Sequence, residues 1–342
     1  MGIRTPVVGV KGRHDWPLHY GSRSAIFYIQ IMVLKPSAGP GLPIFISLPA
    51  HRLPPMIWIA LALLGAFAHA LYSIAVKRYL RDCSPASLAG PTFLAGGLVL
   101  LALACARGLP ETGPLFLPAL AASAALNAAA VWLTYRALAE TDISLAVPML
   151  SLTPIFLVGT SYLLLGEVPG AGGVAGIVLI VAGSYVLGSG GGEGGVLAPV
   201  RALWMRRGTA MMAGVALIYS LTATLDKILI LQSDPFFGLG LDLLAIGTLF
   251  LVLTLASGGT PTGPPPAGRV VAVTGGLLAL EILSVGLALS LQIVPYVISV
   301  KRTSILFAVV IGGAIFGEAA LGRRSAAAAV MVAGTVCILL FG

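Results

Sequence analysis

The sequence predicts an all-α integral membrane protein with ten transmembrane helices, arranged as two inverted five-helix repeats. Of its 342 residues, 58% are hydrophobic and only 9% are charged, whereas soluble domains carry about 25% charged residues. So few charges could not cover the apolar core of a soluble fold, so the chain belongs in a lipid bilayer. Continuous rather than alternating apolar runs exclude a porin-type barrel. The net charge of +8 does not indicate nucleic acid, because Lys and Arg lie mainly between the apolar runs.

The first 55 residues differ from the rest of the chain. They carry six Lys or Arg residues against one acid, Asp15. Their apolar runs are shorter than the roughly 20 residues that a transmembrane helix needs. We expect residues 1–55 to form a basic disordered leader, and Met56 is a candidate for the true start of translation.

Ten long apolar segments follow the leader. Each is predicted to be helical, because backbone polar groups in lipid must be hydrogen-bonded within their own segment. The predicted spans cover residues 56–76, 86–106, 115–138, 142–165, 170–188, 209–231, 235–256, 269–293, 295–317 and 322–341. Residues 189–208 follow the fifth span, and the Gly-rich stretch GSGGGEGG at 188–195 predicts a flexible linker there.

The two halves, residues 56–188 and 209–342, read as copies of one unit. An offset of 150 residues relates Lys77 to Lys227, and an offset of 151 relates Gly166-Glu167 to Gly317-Glu318. A five-helix unit crosses the membrane an odd number of times, so the second copy must be inverted. Inverted repeats recur in secondary transporters, with the substrate site near the midplane between the halves.

Short motifs recur at equivalent places in the two halves. They are Thr153-Pro154, Leu163–Glu167 and Val181–Gly183 in the first half, and Ile315–Glu318 and Val332–Gly334 in the second. Together with ten spans, these motifs resemble the drug/metabolite transporter superfamily, EamA-type, over nearly all of residues 56–342. The resemblance implies a transporter fold and says little about the substrate. The second half departs from the pattern, because Ile305 stands where the first half has Pro154.

Charged residues inside the predicted spans are the main candidates for a site, because each costs about 2.5–3.5 kcal/mol on insertion scales. Glu281 lies near the middle of the eighth span and has no acidic equivalent in the first half. We interpret it as a proton-coupling carboxylate or a ligand for a substrate amine, with a structural ion pair as the alternative. Lys301 and Arg302 lie in the ninth span. One is expected to pair with Glu281, and the other to face an anionic substrate group or to reach the interface.

Uncharged polar residues add candidates in the first and third spans. His69, Tyr72 and Ser73 share one face of the first span, because they lie three and four residues apart. Asn127 lies in the middle of the third span, where its amide needs a partner. Each of these residues could line a cavity or could form hydrogen bonds between helices.

Charges near span ends have weaker functional interpretations. Asp226 and Lys227 end the sixth span and could act on the substrate or simply lie at the interface. Asp242 lies one-third into the seventh span and is a weaker candidate, expected to cap a helix or pair with a neighbour. Glu167 and Glu318 follow the fourth and ninth spans, and we expect each to cap a helix or pair with a basic residue.

The favoured function is a secondary-active transporter in a bacterial inner membrane, exporting a small polar metabolite or drug-like molecule by alternating access. Coupling to protons is a hypothesis that rests on Glu281. No P-loop, Rossmann glycine pattern or metal-ligand constellation occurs in the sequence, so we expect no cofactor, no metal and no enzymatic activity. The alternative is a non-transporting subunit or regulator of another membrane complex. Basic loops would place both termini outside, whereas the resemblance would place them in the cytoplasm, and both orientations stay open.

Overall fold

The structure, a computed structural model, describes residues 28–30, 47–49, 56–79, 85–141, 143–188, 197–256, 266–316 and 321–342. The chain divides into two units, Met1–Pro54 and Pro55–Gly342. In the first unit, strand β1 (Tyr28–Gln30) pairs antiparallel with strand β2 (Ser47–Pro49). Apart from these strands and Met56, the predicted leader and the start at Met56 are not tested, because residues 1–27, 31–46 and 50–55 lie outside the described residues.

The described part of the second unit is helical. Its helices are α1 (Ile57–Tyr79), α2 (Pro85–Arg107), α3 (Phe116–Glu140), α4 (Ile143–Ala146), α5 (Thr153–Leu165), α6 (Ala171–Gly188), α7 (Ala198–Met205), α8 (Arg207–Leu231), α9 (Pro235–Ala256), α10 (Gly268–Leu289), α11 (Val294–Lys301), α12 (Ser304–Phe316) and α13 (Leu321–Phe341). A short 3-10 helix, Val147–Leu152, joins α4 to α5.

Seven helical stretches within the described residues are long and apolar enough to cross a membrane. They are Ile57–Tyr79, Ser87–Arg107, Phe116–Leu138, Pro148–Leu165, Arg207–Leu231, Pro235–Ala256 and Gly268–Leu289. The fifth and tenth predicted spans correspond to shorter apolar helices, Ala171–Leu187 and Ala326–Phe341. The helical character expected of the membrane part is therefore confirmed in the described residues, while ten spans in two inverted halves stay a prediction.

The fourth and ninth predicted spans are interrupted rather than continuous helices. The fourth contains the 3-10 helix Val147–Leu152, and Pro148 at its start has no N–H to donate. The ninth is divided between α11 and α12. There the N–H groups of Arg302, Thr303 and Ile305 donate to carbonyls three residues earlier, which tightens the chain at a pair of basic residues. Apolarity alone did not reveal either interruption, because it reports burial and not backbone geometry.

Part of the predicted linker at 189–208 is helical. Residues 197–208 include α7 and the start of α8, whereas the Gly-rich stretch at 189–196 lies outside the described residues. Pro199 and Ala202 of α7 are buried, while Trp204 and Met205 are exposed. The short helix therefore packs on one side and presents a large apolar side chain on the other.

The main helix–helix contacts join the first half of the unit to the second. Helix α1 packs against α10, α2 against α9, α3 against α8, and α6 against α13. The helices also begin at positions that follow the offsets found in the sequence. Ile57 and Arg207 open α1 and α8, and Pro85 and Pro235 open α2 and α9, 150 residues apart in both cases. Helices α5 and α12 begin 151 residues apart, at Thr153 and Ser304.

Glycines allow α6 and α13 to approach each other closely. A Cβ on Gly334 would lie 2.7 Å from the carbonyl oxygen of Gly176, and a Cβ on Gly176 would lie 2.7 Å from that of Gly334. A backbone carbonyl oxygen cannot move away from such a contact unless the whole helix moves. Gly172 and Gly176 lie four residues apart, and small residues at this spacing allow membrane helices to pack closely.

Replacing Gly334 with Leu is expected to destabilise the protein by about 1–3 kcal/mol, because the side chain would force α6 and α13 apart. Thermal unfolding in detergent would measure the loss. Gly276→Leu is the matched control, because a Cβ at Gly276 in α10 meets nothing within 4 Å. Equal unfolding temperatures for the two variants would show that the close approach does not matter.

Candidate functional site

A cavity of about 950 Å³ lies inside the helical unit. It is lined by α1, α2, α3, α8, α9 and α10 and by the interrupted fourth and ninth predicted spans. Its lining is largely apolar, with a polar group comprising His69, Tyr72, Asn127, Tyr219, Asp226, Asp242, Glu281, Lys301 and Arg302. The cavity thus gathers charges from segments that lie far apart in the sequence.

Glu281 is at the centre of an ion-pair cluster in this cavity. Its side chain, on α10, is only 3% exposed. The Oε1 atom lies 2.7 Å from Nζ of Lys301 and 2.8 Å from Nδ1 of His69. A carboxylate buried this deeply needs a partner, because an unpaired charge in a low-dielectric interior is costly. Helices α1, α10 and α11 supply the three members, so the cluster depends on their packing.

Lys301 and Arg302 reach the cavity because helix α11 ends at Lys301. Lys301 pairs with Glu281, as was expected for one of the two. The Arg302 guanidinium lies near Tyr219 on α8, and its Nε has no hydrogen-bond partner among the described residues. The two neighbouring cations therefore face different parts of the cavity.

Two further carboxylates lie on α8 and α9. Asp226 and Asp242 both line the cavity, and Asp226 lies close enough to Asp242 and Lys301 for their charges to interact. Asp242 is 6% exposed, and its Oδ1 has no hydrogen-bond partner among the described residues. Ser123 on α3 is a polar neighbour of the Asp242 carboxylate, and the amide of Asn127 donates to the Ser123 carbonyl at 3.0 Å.

Lys227 and Ser73 are not among the residues that line this cavity. Lys227 Nζ lies 2.5 Å from Oε1 of Glu167 and donates to the carbonyl of Gln292 at 2.8 Å. Oε2 of Glu167 accepts the N–H of Val294, at the start of α11, at 2.8 Å. Glu167 thus pairs with a basic residue and caps a helix, and both partners come from the second half of the chain. Glu318, its predicted counterpart, lies outside the described residues.

Asp242 and Tyr219 both line the cavity, although neither was predicted as a main site residue. Asp242 was expected to cap or pair, yet its carboxylate lies in the cavity with one oxygen unpartnered among the described residues. Its position inside an apolar span was the available signal, since such acids are functional candidates by default. Tyr219 carried no comparable signal, because tyrosines are common in membrane helices.

Among the described residues, no group of three His, Cys, Asp or Glu side chains could hold a metal ion. The cavity instead has both acidic and basic side chains on largely apolar walls. Such a site can bind a small molecule through charged groups and bury its apolar part.

Comparison with known proteins connects this architecture to a family of transporters. Residues 56–189 match the model of the EamA-like transporter family. The match ends at residue 189 and does not extend over the second half of the chain. No curated protein matches the sequence. A solved structure titled "Crystal structure of protein" is similar, with a TM-score of 0.66 over 84% of this chain and 98% of its own. At 18% sequence identity, this similarity shows a shared fold alone.

The EamA-like segment contains only part of the cavity lining. It includes α1 to α6, and with them His69, Tyr72 and Asn127. Every Asp, Glu, Lys and Arg of the cavity lies beyond residue 189. The charged residues of the cavity therefore lie in the part of the chain that the family match does not cover.

Proposed function

We propose that the protein is a secondary-active transporter that exports a small polar metabolite or drug-like molecule by alternating access. The observation that carries the proposal is the cluster Glu281–Lys301–His69, buried in a cavity of about 950 Å³. Charges inside a membrane protein are costly and are retained where they bind or move something. A subunit with a purely structural role would have no need for them. The match of residues 56–189 to a transporter family supports the same conclusion.

Two inverted five-helix halves are the architecture that we propose for this transport. The helix contacts support it, because exchanging the halves converts the α1–α10 contact into the α8–α3 contact. The same exchange leaves the α2–α9 and α6–α13 contacts unchanged. Alternating access in such folds comes from one repeat moving against the other around a central site.

The two interrupted spans support a site at the centre of this arrangement. Irregular backbone at membrane depth is tolerated where it lines a cavity, and interrupted helices often bear the ligand groups of transporters. Leu150 and Thr153 at one interruption and Lys301 and Arg302 at the other line the cavity. The first pair is apolar or neutral, so the second half would supply the charge that selects the substrate.

Replacing Glu281 with Gln is expected to slow transport by about tenfold or more and to remove its dependence on a proton gradient. A hydrogen bond to a charged group is worth about 1.5–3 kcal/mol, which corresponds to about tenfold or more in binding. A screen of radiolabelled metabolites and antimicrobials with a deletion strain would first identify a transported compound. Its flux would then be measured in proteoliposomes with an imposed pH gradient.

Glu111→Gln provides the control for this experiment, because Glu111 is exposed between α2 and α3. Size-exclusion chromatography would show whether the Glu281 variant is folded. If the folded variant transports at the normal rate and responds normally to pH, the proton-coupling role of Glu281 is wrong. If no compound in the screen responds to deletion, the chain is better explained as a non-transporting membrane subunit.

A further inference from the structure

The carboxylates of the cavity fall into two groups with different surroundings. Asp226, Asp242 and Glu281 line it, and Lys301 is the cation that interacts with both Glu281 and Asp226. The Arg302 guanidinium lies near the phenol of Tyr219. Lys301 already forms an ion pair with Glu281 at 2.7 Å. Only part of its positive charge is therefore available to neutralise the acids of α8 and α9. On the side of the cavity formed by α8 and α9, Asp226 and Asp242 lie close to each other and form no ion pair of their own among the described residues.

The Asp242 carboxylate provides an independent reason to place a ligand on this side of the cavity. More than nine-tenths of the residue is buried, and its Oδ1 has no hydrogen-bond partner among the described residues. A buried carboxylate oxygen without a partner is costly, and a positively charged group would remove that cost. The neighbouring Ser123 does not supply a positive charge.

Apolar and aromatic side chains surround this acid pair. Leu239, Ile246 and Phe250 line the cavity on the helix that carries Asp242, at spacings that place them on the same face as the carboxylate. Phe250 also packs edge-on against Phe93 of α2, with ring centroids 5.5 Å apart. An inorganic cation would find few oxygen ligands on these walls. An ammonium group attached to an apolar body fits both the acids and the walls, and aromatic faces attract such cations.

We propose that Asp226 and Asp242 form a subsite for the ammonium group of the transported molecule, so that the substrates are small organic amines with an apolar body. The subsite rests on the proposed transport function and specifies its substrate class. Asp242 makes the direct contact through its unpartnered oxygen, and Asp226 adds to the negative potential. Phe93, Phe250 and Ile246 bury the apolar part.

Calorimetry on the full chain in lipid nanodiscs would test the subsite without any gradient. The probes are benzylamine, phenethylamine and cyclohexylamine, with phenethyl alcohol and phenylpropionate as the neutral and anionic counterparts of phenethylamine. We expect at least one amine to bind about tenfold more tightly than both counterparts, because only an ammonium pairs with the acids. Asp242→Asn is expected to weaken amine binding by a similar factor and to leave phenethyl alcohol unaffected.

Two control variants keep this test decisive. Asp242→Glu retains the charge and should bind the amines better than Asp242→Asn, which separates charge from loss of folding. Glu111→Gln removes an exposed acid and should bind as the unchanged protein does. The proposal is overturned if none of the three amines binds, if Asp242→Asn binds them normally, or if phenylpropionate binds more tightly than phenethylamine.

The outcome for the subsite can be separated from the outcome for transport. Amine binding that depends on Asp242, without flux of any amine in proteoliposomes, would support the subsite and contradict the transport function. Flux of an anion with no amine binding would support transport and overturn the subsite.

Discussion

Replacing Lys301 with Met is expected to destabilise the protein by about 3–5 kcal/mol, because it leaves Glu281 buried without its closest cation. Glu281 is almost fully buried, and Lys301 Nζ lies 2.7 Å from its Oε1. His69 remains 2.8 Å away on the other side, but an imidazole is a weaker partner because it carries a full charge only when protonated. Thermal and denaturant unfolding in detergent would measure the loss.

A double-mutant cycle would show how much of this loss comes from the pair. Glu281→Gln combined with Lys301→Met removes both charges, so the double variant should be more stable than the sum of the two single losses predicts. Arg269→Met is the control, because Arg269 is exposed at the start of α10. Strictly additive losses would mean that Glu281 and Lys301 do not stabilise each other in the folded protein.

Replacing Glu167 with Ala is expected to produce a loss of similar size at a different place. The side chains of Glu167 and Lys227 are 10% and 13% exposed, so breaking their ion pair should cost about 3–5 kcal/mol. The substitution also removes the acceptor for the N–H of Val294, which should loosen the first turn of α11. Unfolding of the purified protein would give the size of the effect.

Glu167→Gln separates the two roles of this carboxylate. Glutamine can still accept the N–H of Val294 but cannot form an ion pair with Lys227, so we expect an intermediate stability. The exposed pair Arg136–Glu140, 3.9 Å apart, is the matched control, and Glu140→Ala should change stability by less than about 1 kcal/mol. If Glu140→Ala costs as much as Glu167→Ala, burial of the Glu167–Lys227 pair is not the source of the effect.

The Glu167 variants should also affect the cavity, although Glu167 does not line it. Glu167 accepts a hydrogen bond from the N–H of Val294, the first residue of α11. The same helix ends at Lys301, which pairs with Glu281. Loosening the start of this short helix would let its end move. We therefore expect Glu167→Ala to weaken ligand binding in the cavity more than Glu167→Gln does.

Much of the membrane architecture is predictable because it depends on local properties of the chain. The length and apolarity of a segment decide whether it can cross a bilayer, and seven of the predicted spans have that character in the described residues. The offset between equivalent positions also came from the sequence, and the starts of α1 and α8 follow it. Glu281, Lys301 and Arg302 stood out because charge is rare inside such segments.

The interruptions at Val147–Leu152 and after Lys301 could not be read from the same properties. An apolar run is predicted as one helix, because hydropathy does not distinguish an α-helical turn from a tighter one. Residues at both interruptions nevertheless line the cavity, and Arg302 is one of them. On one continuous helix over 295–317, the side chains of Lys301 and Arg302 would point about 100° apart. The sequence therefore did not predict that both would line the cavity.

By itself, the sequence determined that this is a helical membrane protein with charges inside its apolar segments. Only the tertiary structure decided that Glu281 pairs with Lys301 and His69, that Lys227 pairs with Glu167 away from the cavity, and that one oxygen of Asp242 has no partner among the described residues. The reason is that the presence of a charged residue in an apolar segment can be seen directly in the amino-acid sequence. The partner of that charge depends instead on how helices distant in the sequence rotate and pack against one another.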